Sequence, residues 1–207
     1  MKLCKHGELE LSSLDENFSH FKTRKLEKGA ILSSPRDQNN SVFFLKSGRL
    51  KVYLCYGDKV LTLSILNPGD IYCTHTRAFV EALEDVEVKH CDLPSFSRQI
   101  HDRPELITTV TRVLSETLSG CINTIENLAF RDVKARFACY LLGQIRAEQE
   151  VIQLTLSIEQ IAQIIGTSRQ TLSTLISELH RDSIVERVER GSLKILNHQE
   201  LEKIAAF

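Results

Sequence analysis

The sequence has no run approaching the ~20 consecutive apolar residues that a membrane helix requires, so no membrane partner is expected. Its start, MKLCKHGELE, lacks the apolar leader that directs export, and a cytoplasmic location is the expectation. There is no C-x-x-C pair. The cysteines Cys4, Cys55, Cys73, Cys91, Cys121 and Cys139 are scattered, which argues against a disulfide framework. Most are expected to be reduced and buried, since a free cysteine packs as a small hydrophobe. Neither charge is in excess: 26 Lys and Arg against 27 Asp and Glu leave a net charge of -1. Any nucleic-acid binding must therefore come from a local surface and not from bulk attraction.

What is present is ordinary for a soluble globular protein, with 42% hydrophobic and 26% charged residues. The 207 residues suffice for one large domain or two small ones. In the first half, Gly29, Gly48 and Gly69 each precede a leucine-rich or β-branched run. That spacing predicts short antiparallel strands joined by turns, closing into a β-roll or barrel. SVFFLKSGRLKVYL reads as a hairpin with Ser47-Gly48 at its turn. ALEDVEVKHCDL alternates and reads as a closing strand.

The period changes at Pro104, which suits a helix start. Ile107, Leu114, Cys121 and Leu128 are seven apart, and Thr111, Leu118 and Ile125 fill the alternate seam positions. An a/d seam sustained over about three heptads favours a two-chain coiled coil, hence a homodimer, over packing on the chain's own domain.

The last third reads as a helix-turn-helix. Ser157 caps a helix whose inner face is Ile158, Ile161, Ala162 and Ile165. Gly166 permits the turn. A second helix then begins at Thr167-Ser168, with Leu172, Leu175, Ile176 and Leu179 inward. Arg169, Gln170, Ser173 and Thr174 face outward. Arginine reads guanine and glutamine reads adenine in the major groove. The hydroxyls of Thr167 and Ser168, with the free N–H groups of the helix start, suit phosphate. IVERVERGSLKIL reads as a β-hairpin wing. An outward Arg-Gln pair on such a helix favours DNA binding over a hairpin that only packs.

GDIYCTHTRAF raises a separate question, because it places Cys73 and His75 two residues apart. Residues i and i+2 of a strand share a face, so both could address one metal centre. Taken alone, the spacing favours a buried cysteine beside a surface histidine. A nucleophile–base pair is disfavoured: the side chains would run parallel and no third orienting residue is evident, so no enzyme is expected. His90 and Cys91 are adjacent on a strand, point to opposite faces, and read as structural.

A β-roll, a long dimer helix and a C-terminal winged helix-turn-helix together resemble the cyclic-AMP receptor and fumarate–nitrate regulator superfamily of bacterial transcription factors. IAQIIGTSRQTLSTLISEL is similar to its recognition motif. The resemblance implies an α+β chain in three parts: a cyclic-nucleotide-binding-like sensor β-roll at 1–103, a dimerisation helix at 104–130, and a winged helix-turn-helix at 131–207. The nucleotide-binding branch has a glycine-glutamate turn and an Arg-Ser pair. Here GDIYCTHTRAFVEAL is shorter and offers Thr76-Arg77. The iron–sulfur branch has an N-terminal cysteine cluster, whereas only Cys4 lies there.

SGRLKVYL, GDIYCTHTRAFVEALED and IGTSRQT look like the carbon-monoxide-sensing haem branch. That likeness implies haem b, with Cys73 ligating ferric and His75 ferrous iron. The Met1 amine ranks first for the opposite axial position, with His6 and Cys4 as alternatives. Leu114, Ser115 and Leu118 of the long helix would border the gas. The implied partners are carbon monoxide, a palindromic promoter site on DNA, RNA polymerase and a second copy of the chain. Nitric oxide as ligand, or a cyclic nucleotide as effector, remains the alternative.

Overall fold

The computed structural model describes residues 21–37, 40–74, 76–102, 105–145, 151–189 and 191–206. Met1, Cys4, His6, His75 and Pro104 lie outside the described residues. By contact density the chain divides into two compact units. Among the described residues, one takes 21–59 together with Leu63–Cys121, and the other takes 122–206 with Val60–Thr62.

The first unit is built on two four-stranded antiparallel sheets. Its strands are β1 (Lys22–Leu26), β2 (Ile31–Ser33), β3 (Ser41–Ser47), β4 (Leu50–Tyr56), β5 (Lys59–Leu66), β6 (Ile71–Cys73), β7 (Phe79–Ala82) and β8 (Val86–Asp92). One sheet runs β1-β8-β3-β6 and the other β2-β7-β4-β5. Between them lies a core of Phe43, Leu45, Leu50, Val52, Leu66, Val80 and Val88. Burial alternates over 86–89 at the start of β8, where Val86 and Val88 are buried, as expected for a strand with one face on a core.

The Ser47-Gly48 turn is not a hairpin turn. β3 and β4 belong to different sheets, and the turn carries the chain from one to the other. Gly48 is required there. Its φ is 79°, and a Cβ would run into the Asp85 carbonyl and the Val86 side chain. The true hairpin is β4–β5, turning at Gly57-Asp58. The expected closing strand is shorter than its sequence pattern, because ALEDVEVKHCDL holds the end of β7, a bend and then β8.

A helix not foreseen in the sequence follows, α1 (Leu93–Asp102). Asp92 starts it by accepting the Ser95 N–H at 2.7 Å, which lowers the Asp92 pKa. The long helix α2 (Glu105–Phe130) is continuous and contributes to both compact units. Ile107, Leu114, Leu118, Ile122 and Ile125 on it are exposed, so one apolar face of α2 is uncovered in the single chain.

The second unit contains α3 (Val133–Gln144), β9 (Val151–Gln153), α4 (Ile158–Ile165), α5 (Arg169–Arg181), β10 (Val185–Glu189), β11 (Ser192–Ile195) and α6 (His198–Ala206). β10 and β11 form the expected wing, and β9 adds a third strand beside β11. The fold is a mixed one, with N-terminal sheets, helices and a C-terminal helix-turn-helix.

Candidate functional site

The segment around Cys73 is positioned by the turn that precedes it. Asn67 N–H donates to Asp70 Oδ2 at 2.7 Å, and Asp70 N–H returns to the Asn67 carbonyl at 3.0 Å. Two further bonds clamp this turn to β3. Gly69 N–H donates to the Leu45 carbonyl at 2.8 Å, and Leu45 N–H donates to the Asp70 carbonyl at 3.0 Å. Together they set the register of β6, so that Cys73 opposes Val42, Tyr72 opposes Phe43 and Ile71 opposes Phe44.

Alternation then separates neighbours. Ile71 and Cys73 turn to a cluster of Phe21, Val42, Phe44 and Phe96, joined by Ile100 of α1 and Val110 of α2. Tyr72 turns to the core between the sheets, its ring 5.7 Å from that of Phe43. Burial pushes the Tyr72 pKa up. Cys91 belongs to the same cluster as Cys73, and burial raises its thiol to about 12.

β6 ends at Cys73, and position 75, the other half of the expected pair, lies outside the described residues. Thr74 is buried. Its Oγ1 accepts the Ser41 N–H at 2.9 Å and donates to the Ser41 carbonyl at 3.2 Å. Thr76 Oγ1 lies 2.9 Å from the Tyr72 hydroxyl. Arg77 is exposed. Leu114, Ser115 and Leu118 are exposed as well; it is Val110, one turn before Leu114, that packs against the cluster Cys73 joins. Among the described residues no group of three or more His, Cys, Asp or Glu could hold a metal ion.

Haem asks something different of a protein: one or two axial donors and an apolar wall. Cys73 is a soft sulfur donor, half-buried, against aromatic and branched side chains. Thr74 and Cys91, but not Cys73, line a neighbouring groove of about 1290 Å³ whose wall includes Lys22, Arg24, Asp37, Asp92 and Arg98. Cys73 fits such a group as one donor, and His75, the other donor that would hold it, lies outside the described residues.

The second site is the exposed side of α5. Ser157 caps α4 in a reciprocal capping box with Gln160. Gly166 ends α4 at φ 70°, ψ 47°, the left-handed conformation the turn was expected to need. Ser168 caps α5, accepting the Thr171 N–H at 3.0 Å. Leu172, Leu175, Ile176 and Leu179 are buried, which leaves Ser168, Arg169, Gln170 and Thr174 exposed and Thr167 and Ser173 half-buried. The inner face of α4 includes Ile164, which the sequence reading did not assign, and Ile158 is only half-buried.

Two further features escaped the sequence. Arg136 on α3 donates to the Arg131 carbonyl at 3.1 Å and reaches the Gly166 carbonyl at 3.5 Å, tying α3 to the turn. Burial lowers its pKa. Lys134, with Asp132, borders a groove of about 570 Å³ alongside Gln170 and Thr174. A basic residue just inside a capped helix start was the available signal, since Asp132 caps α3 through the Ala135 N–H. The arrangement presents hydroxyls and an Arg-Gln pair at the exposed start of α5, which suits a DNA groove.

Comparison with known proteins places both sites in context. Residues 135–204 match the Crp-like helix-turn-helix domain. The solved structure of a CooA mutant from Carboxydothermus hydrogenoformans is similar with a TM-score of 0.89 and 33% identity, covering 98% of this chain and 99% of that one. The reduced (FeII) CO-sensing protein from R. rubrum is similar at 29% identity and a TM-score of 0.56, covering 96% of this chain and 99% of its own. The cyclic AMP receptor protein of Thermus thermophilus is 23% identical, covering 97% of this chain and 95% of that one.

Proposed function

The chain belongs to the CRP/FNR family of transcription regulators, and on that premise we propose that it is a haem-dependent, carbon monoxide-sensing transcriptional activator that binds DNA as a homodimer. The observation that carries this reading is the clamped Gly69-Asp70 turn, which delivers Cys73 at the end of β6 into an apolar cluster shared with α1 and α2.

In this reading Cys73 ligates ferric iron and His75 ferrous iron, since thiolate suits the more charged ion and neutral imidazole the less charged one. When bound, ferrous haem would supply the affinity for carbon monoxide, and the Met1 amine would be the weaker donor that helps hold it in the absence of the gas. The chain's own part is to hold iron from one side and to keep its surroundings apolar. Leu114, Ser115 and Leu118 border the gas in this reading. α2, continuous across the two compact units, carries the change toward the DNA-binding residues. Thr167 and Ser168 take phosphate, and Arg169, Gln170, Ser173 and Thr174 face base edges. The site is a palindromic promoter element with half-sites about one DNA turn apart, and RNA polymerase is the partner there. Moving the population from mostly off to mostly on requires about 5.5 kcal/mol of differential ligand binding.

The test is an absorption spectrum of the purified protein, grown with ample haem precursor and then reduced, with and without carbon monoxide. Operator binding is measured under the same two conditions. A Soret band that shifts with the gas, together with tighter operator binding, is the expected result. Colourless protein that still binds its operator would overturn the proposal. The likeness to a cyclic AMP receptor favours one other reading, a nucleotide effector with Arg77 at the phosphate. Calorimetric titration with cyclic AMP distinguishes it.

A further inference from the structure

The exposed side of α5 is bordered by a cation on each flank, and the two come from different elements. Lys134, near the start of α3, shares the groove of about 570 Å³ with Gln170, Thr171, Thr174 and Glu178. Arg187, on β10, reaches the Ser177 hydroxyl at 3.5 Å, and that hydroxyl donates to the Ser173 carbonyl at 3.0 Å. Successive residues of an α-helix are turned by about 100°. Ser173 and Ser177 therefore fall on one side of Gln170 and Thr174, and Glu178 and Thr171 fall on the other.

Lys134 stands where its own helix disfavours it. It is the second residue of α3, in a first turn where the helix dipole is positive and a lysine is unfavourable. The Asp132 carboxylate is committed to capping and accepts the Ala135 N–H at 2.7 Å. Arg181 pairs with Asp182 at 3.6 Å and Lys203 with Glu200 at 3.1 Å. Neither Lys134 nor Arg187 pairs with a carboxylate among the described residues. A cation held against its helix dipole and left unpaired breaks a local rule, and such breaks concentrate at functional positions.

An α-helix about 10–12 Å across fills a major groove about 12 Å wide. Its outermost stripe faces base edges, and its flanks meet the two sugar-phosphate backbones. We propose that Lys134 and Arg187 form a phosphate clamp, each holding one DNA backbone while α5 lies in the groove between them. This rests on the reading of α5 as the DNA-recognition helix and is independent of haem. Glu178 on the Lys134 groove and Glu186 next to Arg187 offset the two cations at longer range, so the attraction acts at contact distance.

The test measures binding by fluorescence anisotropy between about 50 and 200 mM salt. The probe is a labelled duplex that the reduced, carbon monoxide-saturated wild-type protein recovers from a random-sequence pool. Each phosphate contact contributes about 0.9 to the slope of log K against log salt. A dimer loses two contacts per substitution, so Lys134→Gln and Arg187→Gln should each flatten the slope by about 1.8. Arg187→Lys keeps the charge and should keep the wild-type slope. Both glutamine variants should weaken binding to single-base-pair variants of the probe by one common factor, since phosphate carries no sequence information. Lys134→Gln should also melt at or above the wild-type temperature, because it relieves the helix dipole. A wild-type slope in both glutamine variants, or base preferences that change with them, would overturn the clamp. Wild-type protein that recovers no duplex from the pool would instead overturn the reading of α5 as a recognition helix.

Discussion

Cys73 and Cys91 are both cross-strand partners of Val42, one from β6 and one from β8 on the two sides of β3. The three side chains form a row on one face of the sheet, under Phe96 of α1. Burial, and then the nearby Asp92 carboxylate, raise the Cys91 thiol from the ordinary 9.0 to about 12. Thiolate is the reactive form, so Cys91 should resist alkylation at pH 8 in the folded protein. Cys55 is exposed and should react first. Mass spectrometry after timed iodoacetamide treatment reads the order. Labelling of Cys91 as fast as Cys55 would contradict the packing.

The ligand assignment makes an asymmetric prediction about redox state. Cys73→Ser should change the ferric spectrum while leaving the ferrous protein responsive to carbon monoxide. His75→Ala should abolish carbon monoxide-dependent operator binding, with far-ultraviolet circular dichroism unchanged. A His75→Ala protein that still responds to the gas removes His75 from the scheme.

Alkaline pH should weaken the second unit through Tyr140. This residue is buried on α3 and stacked on Phe137 with ring centroids 6.4 Å apart. Burial raises its pKa from 10.0 to about 12. In the unfolded chain the phenol ionises from about pH 10, while the folded state holds it neutral to about pH 12. The unfolded state therefore binds fewer protons in that window, and stability falls as pH rises through it. Tyr140→Phe should flatten the loss between pH 10 and 12 in denaturant titrations. An unaltered pH dependence would show that another group governs alkaline unfolding.

The helix-turn-helix was legible in the sequence because its signals are local. A cap at Ser157, a left-handed glycine at Gly166 and a second cap at Ser168 each act within four residues of themselves. The β-roll was legible only as a class. Ser47-Gly48 has hairpin chemistry, but the partner of β3 is β8, more than forty residues away in sequence, and strand alternation cannot reveal that. β9 was missed because three residues carry no period, and its pairing with β11 is long-range. α1 was missed although Asp92 and Pro94 are helix-start residues, because the strand pattern ran straight into them. At the end of β6 the Thr74 hydroxyl bonds the Ser41 backbone, a side-chain contact that no spacing rule anticipates.

The uncovered face of α2 predicts a clean separation of folding from assembly. Leu118 is 62% exposed and Ile125 65% exposed in the single chain. Substitution at such positions changes monomer stability by no more than about 0.5 kcal/mol. In a parallel coiled coil the same side chains meet across the seam, and a charge there is costly. Leu118→Glu should therefore give folded monomer in sedimentation velocity where the wild type is dimer. Operator binding should weaken at least about tenfold, since one half-site contact is lost. Unaltered dimer would mean that another surface holds the copies together.

Ser168 does two things, and a pair of substitutions separates them. Its side chain caps α5 by accepting the Thr171 N–H, and it is exposed where a phosphate would approach the helix start. Ser168→Ala removes the cap and should cost about 1 kcal/mol, a fall in melting temperature of about 2–4 °C for a chain of this size. Ser168→Asp retains the cap, because a carboxylate accepts from the same amide and suits the positive end of the helix. Its melting temperature should stay near wild type. Its negative charge, however, would face the DNA backbone, and like charges at close range oppose binding. Operator affinity in Ser168→Asp should therefore fall about tenfold or more by fluorescence anisotropy, with no matching loss of stability. If Ser168→Asp melts normally and binds operator normally, the N-terminus of α5 does not face phosphate, and the orientation of the recognition surface is wrong.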